Sequence, residues 1–446
     1  MDIEQFNKKK LLFCERCDQV TAGTFYILMF LLPVAPAFVE SFFGVIIFTF
    51  IIKRSTIFFW LLNEEQRSTK SMTFTGVYSM FIQAYKPVET YLNRPIAIYT
   101  FIAFLTIFIS YNPLVSLKGF FFKLLQGIYF YFLLNEAINS KKRIFYFLNT
   151  YLLGVALVVI NGIVQYFYGE GFVHHYLKVE GRISSCMKHP NELAVYLVLI
   201  LPLLLTFIHS WFITKKEKQQ LCEKEFRFYE NSYFKIIIGA IFVLLIFCLG
   251  VTYSRGGWIA LVVALIFYYL KKPKILMPML LTIGVFVIIF SIGMIKERTV
   301  NTAGDVSIFT VSGRLDYWYS AWQVLIKHPF LGIGINAYSS AVKNFDVHWK
   351  AYPHNGYLHM GVELGFLGLG PFLLIIYRLY QVSLVNFKRM KSKFLSDVLA
   401  SFLAGFLGFL YHSGLETFFY STQLGNFLWI IMGLIVAVQK IDFKHE

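Results

Sequence analysis

Three arginines stand next to glycines at places where apolar stretches of the chain begin or end. They occur in Gly181–Arg182, in Arg255–Gly256–Gly257 and in Gly313–Arg314. The planar guanidinium group binds phosphate oxygens in a forked geometry, and an adjacent glycine lets backbone amides approach the same anion. The pattern indicates an anion site at the rim of a membrane. A diphosphate on a lipid carrier is an anion that would lie at that depth.

Each of these polar residues also has an ordinary interpretation. Arg255 could be a cation that reaches from the interface toward water, and Arg182 and Arg314 could be plain loop cations. The segments His189–Pro190–Asn191 and His354–Asn355 precede apolar runs, so they are also consistent with helix starts. The joint interpretation is favoured because separate segments bring arginine and histidine to one predicted membrane face.

The elements that position these residues are apolar segments of membrane-spanning length. The chain has 446 residues, of which 57% are hydrophobic and 15% charged, whereas about a quarter of the residues in soluble domains are charged. Apolar runs of about 16–25 residues recur, and about 20 residues cross a bilayer as a helix. We therefore expect an all-α, polytopic integral membrane protein, a single domain over residues 1–446. The twelve expected spans lie near residues 24–39, 41–60, 96–112, 119–138, 144–168, 191–213, 233–252, 256–270, 274–294, 357–380, 394–412 and 424–439.

The first two expected spans are separated only by the stretch LLPVAPAFVESFFG. A single helix kinked at Pro33 and Pro36 is the alternative there. The charge pattern favours the full count, because most of the 41 lysines and arginines fall in alternate loops, which is the positive-inside pattern. We expect both termini in the cytoplasm. The net charge of +16 then reflects topology and contact with anionic membrane lipids, with no nucleic acid as partner.

The longest expected loop runs over residues 295–356 on the outer face, and loops longer than about 15 residues are commonly functional or disordered. Within it, Leu315, Trp318, Trp322 and Leu325 recur at helical spacing. They predict a short helix, either lying at the membrane surface or packed over the bundle. The following GIGINAY supplies a glycine turn, and because no strand precedes it a dinucleotide site is excluded.

Metal-binding patterns are scarce in the sequence. Cys14 and Cys17 form a single CxxC, whereas a structural zinc site needs a second pair of ligands. No Asp-x-Asp motif occurs, and the carboxylates of the outer loops are scattered singly. This argues against a divalent cation that clamps a diphosphate. We expect neither a metal nor a cofactor.

Four motifs, in this order, resemble the O-antigen ligase/polymerase superfamily. They are GRISSCMKHPNELAVYL, TYSRGGWIAL, SGRLDYWYSAWQVLIKHPFLGIGINAY and HNGYLHMGVELGFLG, and the resemblance covers roughly residues 140–440. It implies an all-helical glycosyltransferase of the bacterial inner membrane, with a long periplasmic loop containing short helices between spans nine and ten. Members of the family take a glycan from undecaprenyl diphosphate and pass it to an acceptor hydroxyl.

The resemblance also implies roles for particular residues. Arg255 and Arg314 correspond to the family arginines that would stabilise the departing diphosphate, and His354 to the loop histidine that acts as base or orients the acceptor. A single displacement would invert the anomeric configuration. Glu363 would orient His359 or belong to the helix entry. The expected substrate-binding residues are Arg182, His189, Asn191, Asn355 and Glu363.

Several functions remain open at this point. We prefer ligation of O-antigen to lipid A–core, with an undecaprenyl-diphosphate-linked glycan as donor and a glycolipid or glycan as acceptor. The alternatives are a polymerase that joins lipid-linked repeat units and, less favoured, glycan transfer to protein. A transporter or flippase of lipid-linked glycan is the alternative from another class. It is disfavoured because the ionisable residues gather at one rim, whereas transporters carry them deeper.

Overall fold

The computed structural model describes residues 3–68, 73–179, 181–209, 228–229, 231–271, 284, 311–348 and 350–443 of the protein. This described part is helical, and its only extended pairings are two isolated bridges, Glu170 with Leu177 and Val179 with Arg182. A π-helical segment, Phe120–Leu125, joins the two helices Pro113–Gly119 and Gln126–Ala137. The helices are α1 (Ile3–Leu31), α2 (Val39–Ser68), α3 (Phe74–Tyr85), α4 (Asn93–Phe108), α5 (Pro113–Gly119), α6 (Gln126–Ala137), α7 (Lys141–Tyr168), α8 (Pro190–His209), α9 (Ser232–Val251), α10 (Arg255–Lys271), α11 (Val311–Lys327), α12 (Tyr338–Ala341), α13 (Gly356–Phe387), α14 (Lys393–Ser413) and α15 (Thr422–Phe443).

Eight helical stretches in the described residues are long and apolar enough to cross a membrane. The expected number of twelve is therefore not confirmed. The segments near 24–39, 96–112 and 256–270 are helical in α1, α4 and α10. However, α4 and α10 have only 16 and 17 residues, and the expected span 274–294 lies outside the described residues except for residue 284. The eight stretches are Pro36–Gln66, Pro113–Ala137, Lys141–Tyr168, Pro190–Ile208, Ser232–Val251, Gly356–Phe387, Lys393–Ser413 and Thr422–Phe443.

The first two helices form an antiparallel pair and not one kinked helix. Helix α1 ends at Leu31, and a 3₁₀ turn over Pro36–Phe38 leads into α2. Lys53 of α2 then reaches back to Asp18 of α1, with Nζ and Oδ1 2.6 Å apart. A proline near the first position of the turn fits this geometry because its missing N–H leaves no helical bond unmade.

Helix α14 is the centre of the bundle, and it packs against α8 and α10. Glycines on α14 allow the close approach. A Cβ on Gly405 would lie 2.2 Å from the carbonyl oxygen of Leu199, and one on Gly408 would lie 2.8 Å from that of Ala260. Small residues at helix contacts are typical of membrane bundles. Since α8 and α10 begin at the face where α14 ends, their first residues meet the turn after α14.

Helix α13 is bent at Gly365, whose φ of 64° is left-handed. The bend is filled by the loop that follows α11. The amide of Phe366 donates to the carbonyl of Pro329 at 2.7 Å, and a Cβ on Gly365 would lie 2.1 Å from the carbonyl oxygen of Phe330. Irregular backbone within a membrane helix is tolerated where neighbouring protein groups satisfy it, and here the loop supplies those groups.

The predicted helix in the long loop is present as α11, which packs against α13. Its contact face is only partly the predicted stripe. Leu325 is buried together with Ala321 and Val324, whereas Leu315 and Trp322 remain exposed. A small residue, Ala321, lies where α11 packs closely against α13. A search for large apolar residues at helical spacing does not detect such a position.

Candidate active site

The carboxylate of Glu416, in the turn between α14 and α15, joins residues from three other parts of the chain. Its Oε1 accepts hydrogen bonds from Arg314 Nη2 at 3.0 Å and from Asn191 Nδ2 at 2.7 Å. Its Oε2 lies 2.9 Å from Nδ1 of His354. Only 12% of the Glu416 side chain is exposed. We call Arg314, His354, Glu416 and Asn191 the Glu416 cluster.

The turn that carries Glu416 is held in place by backbone contacts as well. Arg314 Nη1 donates to the carbonyl of Leu415 at 3.0 Å. The amide of Gly356, the first residue of α13, donates to the carbonyl of Glu416 at 3.1 Å. The long loop, the start of α13 and the end of α14 are therefore fastened to one another at this point.

Arg182 supports the Glu416 cluster through a hydrogen bond to Asn191. It is 7% exposed, with Nε donating to the carbonyl of Thr252 at 2.7 Å and Nη2 donating to Oδ1 of Asn191 at 2.8 Å. Asn191 thus connects Arg182 to Glu416. Because its guanidinium group is buried in protein contacts, Arg182 positions Asn191 and the turn before α10.

Arg255 is the first residue of α10, and its side chain is exposed. It makes no hydrogen bond or ion pair with any residue that the structure describes. The neighbouring Gly256 faces the end of α14, where an added Cβ would lie 2.8 Å from Nε2 of His412 and 3.2 Å from Cδ1 of Leu415. The close approach at Gly256 brings Arg255 to the edge of the Glu416 turn, where no carboxylate of the described residues pairs with it.

The ring of His354 faces the outside of the Glu416 cluster. Its backbone has a left-handed φ of 48°, and 45% of its side chain is exposed. The edge of Tyr317 contacts the ring, with centroids 5.8 Å apart. Nδ1 is engaged by Glu416, so Nε2 is the ring nitrogen left for a ligand.

The charge state of Glu416 fixes the role of each nitrogen of His354. Burial raises the pKa of the Glu416 carboxyl, but the hydrogen bond and charge of His354 and the charge of Arg314 outweigh burial, so its pKa lies below the ordinary value. An ionised carboxylate can only accept hydrogen bonds. Nδ1 therefore carries the proton, and in the neutral ring Nε2 carries a lone pair.

Two of the expected binding residues serve the start of α8 and of α13. The side chain of Asn355 caps α13, accepting from the amides of Tyr357 at 3.1 Å and Leu358 at 3.0 Å. His189 is exposed and accepts from the amide of Asn191 at 3.2 Å through Nδ1. The helix-start interpretation of both segments agrees with these contacts.

Glu363 lies in a different, fully buried group. Its Oε2 and Oε1 accept from the amides of Asn336 at 2.7 Å and Tyr338 at 2.9 Å. The amide of Gly334 donates to its carbonyl at 3.0 Å, and Nε2 of His359 lies 3.3 Å from Oε1. Glu363 thus fixes the GIGINAY loop against the bend of α13, beside His359.

Glu416 is the residue that the expected site lacked. The sequence places it singly in a short turn, with no motif around it. A signal was present, because this turn falls on the same predicted face as the arginines and His354, and one carboxylate among several cations is a natural hydrogen-bond hub. Within the described residues no group of three or more histidines, cysteines or carboxylates could hold a metal ion.

A cavity of about 330 Å³ borders the same turn. Tyr99, Phe419 and Trp429 are among its aromatic walls, and Lys123 is among its polar residues. Lys123 belongs to the π-helical segment, a rare form that often marks functional positions. The cavity offers an apolar surface close to charged groups.

Comparison with protein families supports what the motifs indicate. Residues 240–373 match the family model Wzy_C, O-Antigen ligase. This part of the chain is similar to the O-antigen ligase family domain. The match covers less than a third of the chain and includes Arg255, Arg314, His354 and Glu363, whereas Arg182, Asn191 and Glu416 lie outside it.

The family supports an O-antigen ligase- or polymerase-like membrane function. With the apolar helices of the described residues, it indicates a multi-pass bacterial membrane protein. No curated protein sequence matches the chain.

Proposed function

We propose that this protein is a membrane glycosyltransferase that moves a glycan from undecaprenyl diphosphate to a sugar hydroxyl of an acceptor. The observation that carries the proposal is the Glu416 cluster. It combines an oriented histidine with Arg314, and it lies next to Arg255, which has no ionic partner among the described residues. The O-antigen ligase family match of residues 240–373 gives the reaction class.

The arginines stabilise the negative charge that develops on the leaving diphosphate. As the bond between the anomeric carbon and the diphosphate oxygen breaks, its electron pair stays on the diphosphate. Fixed cations stabilise such a developing charge because they need no reorganisation. Within the described part of the chain, Arg314 uses two of its five N–H groups, on Glu416 and Leu415. Its other N–H groups and those of Arg255 would bind the diphosphate.

His354 activates the acceptor. The hydroxyl oxygen attacks the anomeric carbon, forms the new glycosidic bond and gives its proton to Nε2. The resulting imidazolium is stabilised by the ionised Glu416 at Nδ1, an arrangement like that of other carboxylate–histidine pairs. The attack comes from the face opposite the leaving diphosphate, and the product has inverted configuration.

Two further residues act through the first ones. Asn191 donates to Glu416 and accepts from Arg182, and Arg182 holds the turn before Arg255 through Thr252. They are positioning residues, since this chain of hydrogen bonds sets the separation between the Arg255 side and the His354 side of the site. The aromatic cavity beside the turn would take the apolar chain of a lipid-linked substrate.

The acceptor decides between ligation and polymerisation. Ligation to lipid A–core is our first candidate, and joining of two lipid-linked repeat units uses the same atoms of the site. The test is turnover by purified protein in lipid nanodiscs, supplied with a lipid-diphosphate glycan and either a core glycolipid or a second lipid-linked unit. Product with the core glycolipid alone supports ligation, and product with the second unit alone supports polymerisation. No product with either, from folded protein, contradicts the proposal.

A further inference from the structure

A second, larger cavity lies at the end of the bundle opposite to the Glu416 cluster. It has a volume of about 1200 Å³. Helix α13 starts at the Glu416 turn, and its far end lines this cavity, so the two sites are separated by a membrane-length helix. The other walls are the segment before α4, the end of α6 and the end of α15.

The carboxylates of this cavity are already paired. Asp18 and Glu136 bind Lys53, which is buried between them, and Glu136 also binds Arg54. Glu89 pairs with Lys86. These four ion pairs neutralise the acidic groups on the cavity walls.

Two arginines on the walls keep their charge. Arg94, in the first turn of α4, and Arg378 of α13 are exposed, and neither pairs with an acidic residue among those that the structure describes. Arg378 donates to the neutral amide of Gln381 at 3.1 Å. A cation in the first turn of a helix is unfavourable beside the positive end of the helix dipole unless an anion is bound there. The cavity therefore offers two arginines to an anion.

The inner wall adds neutral polar groups. Asn135 is 3% exposed, and its Oδ1 has no hydrogen-bond partner in the described part of the chain, while its Nδ2 donates to the carbonyl of Tyr131 at 2.9 Å. Buried polar atoms are normally satisfied. Asn135 is among the residues that line the cavity, so a ligand that carries a donor, such as a hydroxyl group, would satisfy this acceptor.

Apolar surface continues outward from each arginine. Ile98 and Phe101 follow Arg94 on one face of α4 at i+4 and i+7, and both are exposed. Leu374 precedes Arg378 by one turn on α13 and is exposed too. Helices α4 and α13 pack against each other. This surface would bind acyl chains, which a soluble anion does not have.

We propose that this cavity binds an anionic phospholipid with a hydroxyl-bearing headgroup, of the phosphatidylglycerol type. The phosphate lies between Arg94 and Arg378, a headgroup hydroxyl donates to Oδ1 of Asn135, and the acyl chains follow the exposed faces of α4 and α13. The positive-inside pattern puts this end of the bundle at the cytoplasmic leaflet, where anionic lipids attract basic side chains. Binding here is independent of glycan transfer.

Native mass spectrometry of the detergent-purified protein tests the proposal. Phosphatidylglycerol and phosphatidylcholine are added in equal amounts, and the bound fraction of each is measured. We expect the wild type to retain phosphatidylglycerol preferentially. Each arginine near a membrane surface contributes about fivefold to such binding, so Arg94→Gln/Arg378→Gln should reduce the preference by on the order of twentyfold.

The matched control replaces two exposed cations at the same end of α13 that do not line the cavity. Lys388→Gln/Arg389→Gln removes the same charge and should keep the preference. Equal loss in both double variants would show a general charge effect and overturn the proposal. An unchanged preference in Arg94→Gln/Arg378→Gln would overturn it as well. Displacement of phosphatidylglycerol by excess inorganic phosphate would assign the cavity to a soluble anion instead.

Discussion

Two glutamate–histidine pairs lie on either side of the start of α13, and they differ in what surrounds them. In the first, Glu416 and His354 are 2.9 Å apart, and 45% of the histidine side chain is exposed. In the second, Glu363 and His359 are 3.3 Å apart and only 1% and 2% exposed. The same two side-chain types thus form one open pair and one sealed pair.

The partners of each carboxylate explain the difference. Glu416 is held by charged and polar side chains from separate segments, and Nε2 of its histidine has no hydrogen-bond partner among the described residues. Glu363 is held by backbone amides of the GIGINAY loop, and its histidine is enclosed by the rings of Tyr338 and Tyr420, with centroids 4.8 and 4.2 Å away. Side-chain partners with access to solvent suit chemistry, whereas backbone partners in a sealed site fasten the fold.

The largest expected effect separates the two histidines. His354→Ala should lower kcat by about 10²–10⁴-fold, the usual contribution of a general base. His359→Phe should keep activity within a few-fold, because the ring contacts that surround His359 remain. Turnover of both variants in nanodiscs, measured beside their thermal unfolding, makes the comparison. Equal losses in two folded variants would remove the distinction between the open and the sealed pair.

The next effect concerns Arg255, the cation at the edge of the open site. Arg255→Ala should lower kcat by about 10²–10³-fold, as the loss of one group that stabilises developing charge does. The melting temperature should change little, because the side chain is exposed and makes no hydrogen bond or ion pair with the described residues. Lys343→Ala, which removes another exposed cation from the same membrane face, should leave activity intact. An equal loss of activity in both variants would indicate that the overall positive charge of this membrane face matters and not the position of Arg255.

The sealed pair should contribute more to the stability of the protein than the open pair does. Glu363→Ala leaves the amides of Asn336 and Tyr338 without acceptors, at a cost of about 1–3 kcal/mol each. Glu416→Ala removes contacts that are partly open to solvent and should destabilise the protein less while abolishing more of its activity. Thermal unfolding of both variants in one detergent gives the ranking. The reverse order would assign the structural role to Glu416.

The smallest effect is a pH dependence at the open pair. Because the pKa of Glu416 is lowered in the folded protein, its stabilising contribution is present above the unfolded glutamate pKa of about 4.3. The contribution disappears as the pH falls through the lower folded-state value. Glu416→Gln should therefore be less stable than the wild type near neutral pH, by about 1–3 kcal/mol, and should approach it as the pH is lowered. A constant difference across the titration would rule out this carboxylate as the titrating group.

Most of the helices could be predicted from the sequence. Apolar runs of spanning length match the hydrocarbon core of a membrane, and basic loops between them follow the positive-inside pattern. Helix α1 extends to Ile3, far before the expected start at residue 24, because its charged half continues the helix outside the apolar run. The bend of α13 was not predictable. It depends on the loop carbonyl that meets Gly365, and that is a tertiary contact.

The residues of the proposed site could be named from the sequence, but their connections could not. In our proposal, glycine-flanked arginines and the loop histidine carry the chemistry, and the sequence presents them in recognisable motifs. Glu416 and the hydrogen bond from Asn191 appear only when α8, α10 and α14 end at one face, so spacing along the chain cannot reveal them. The hydrogen bonds that Glu363 accepts from the GIGINAY loop are likewise contacts that spacing along the chain cannot reveal.

The central claim is that Nε2 of His354, oriented by Glu416, takes the proton of the acceptor hydroxyl. The most direct measurement is single-turnover glycan transfer in nanodiscs by the wild type, His354→Ala and His359→Phe, with donor binding measured on the same samples. We predict that His354→Ala binds the lipid-diphosphate donor like the wild type but forms product at least about 10²-fold more slowly, while His359→Phe forms product normally. Wild-type product formation by folded His354→Ala would contradict the account.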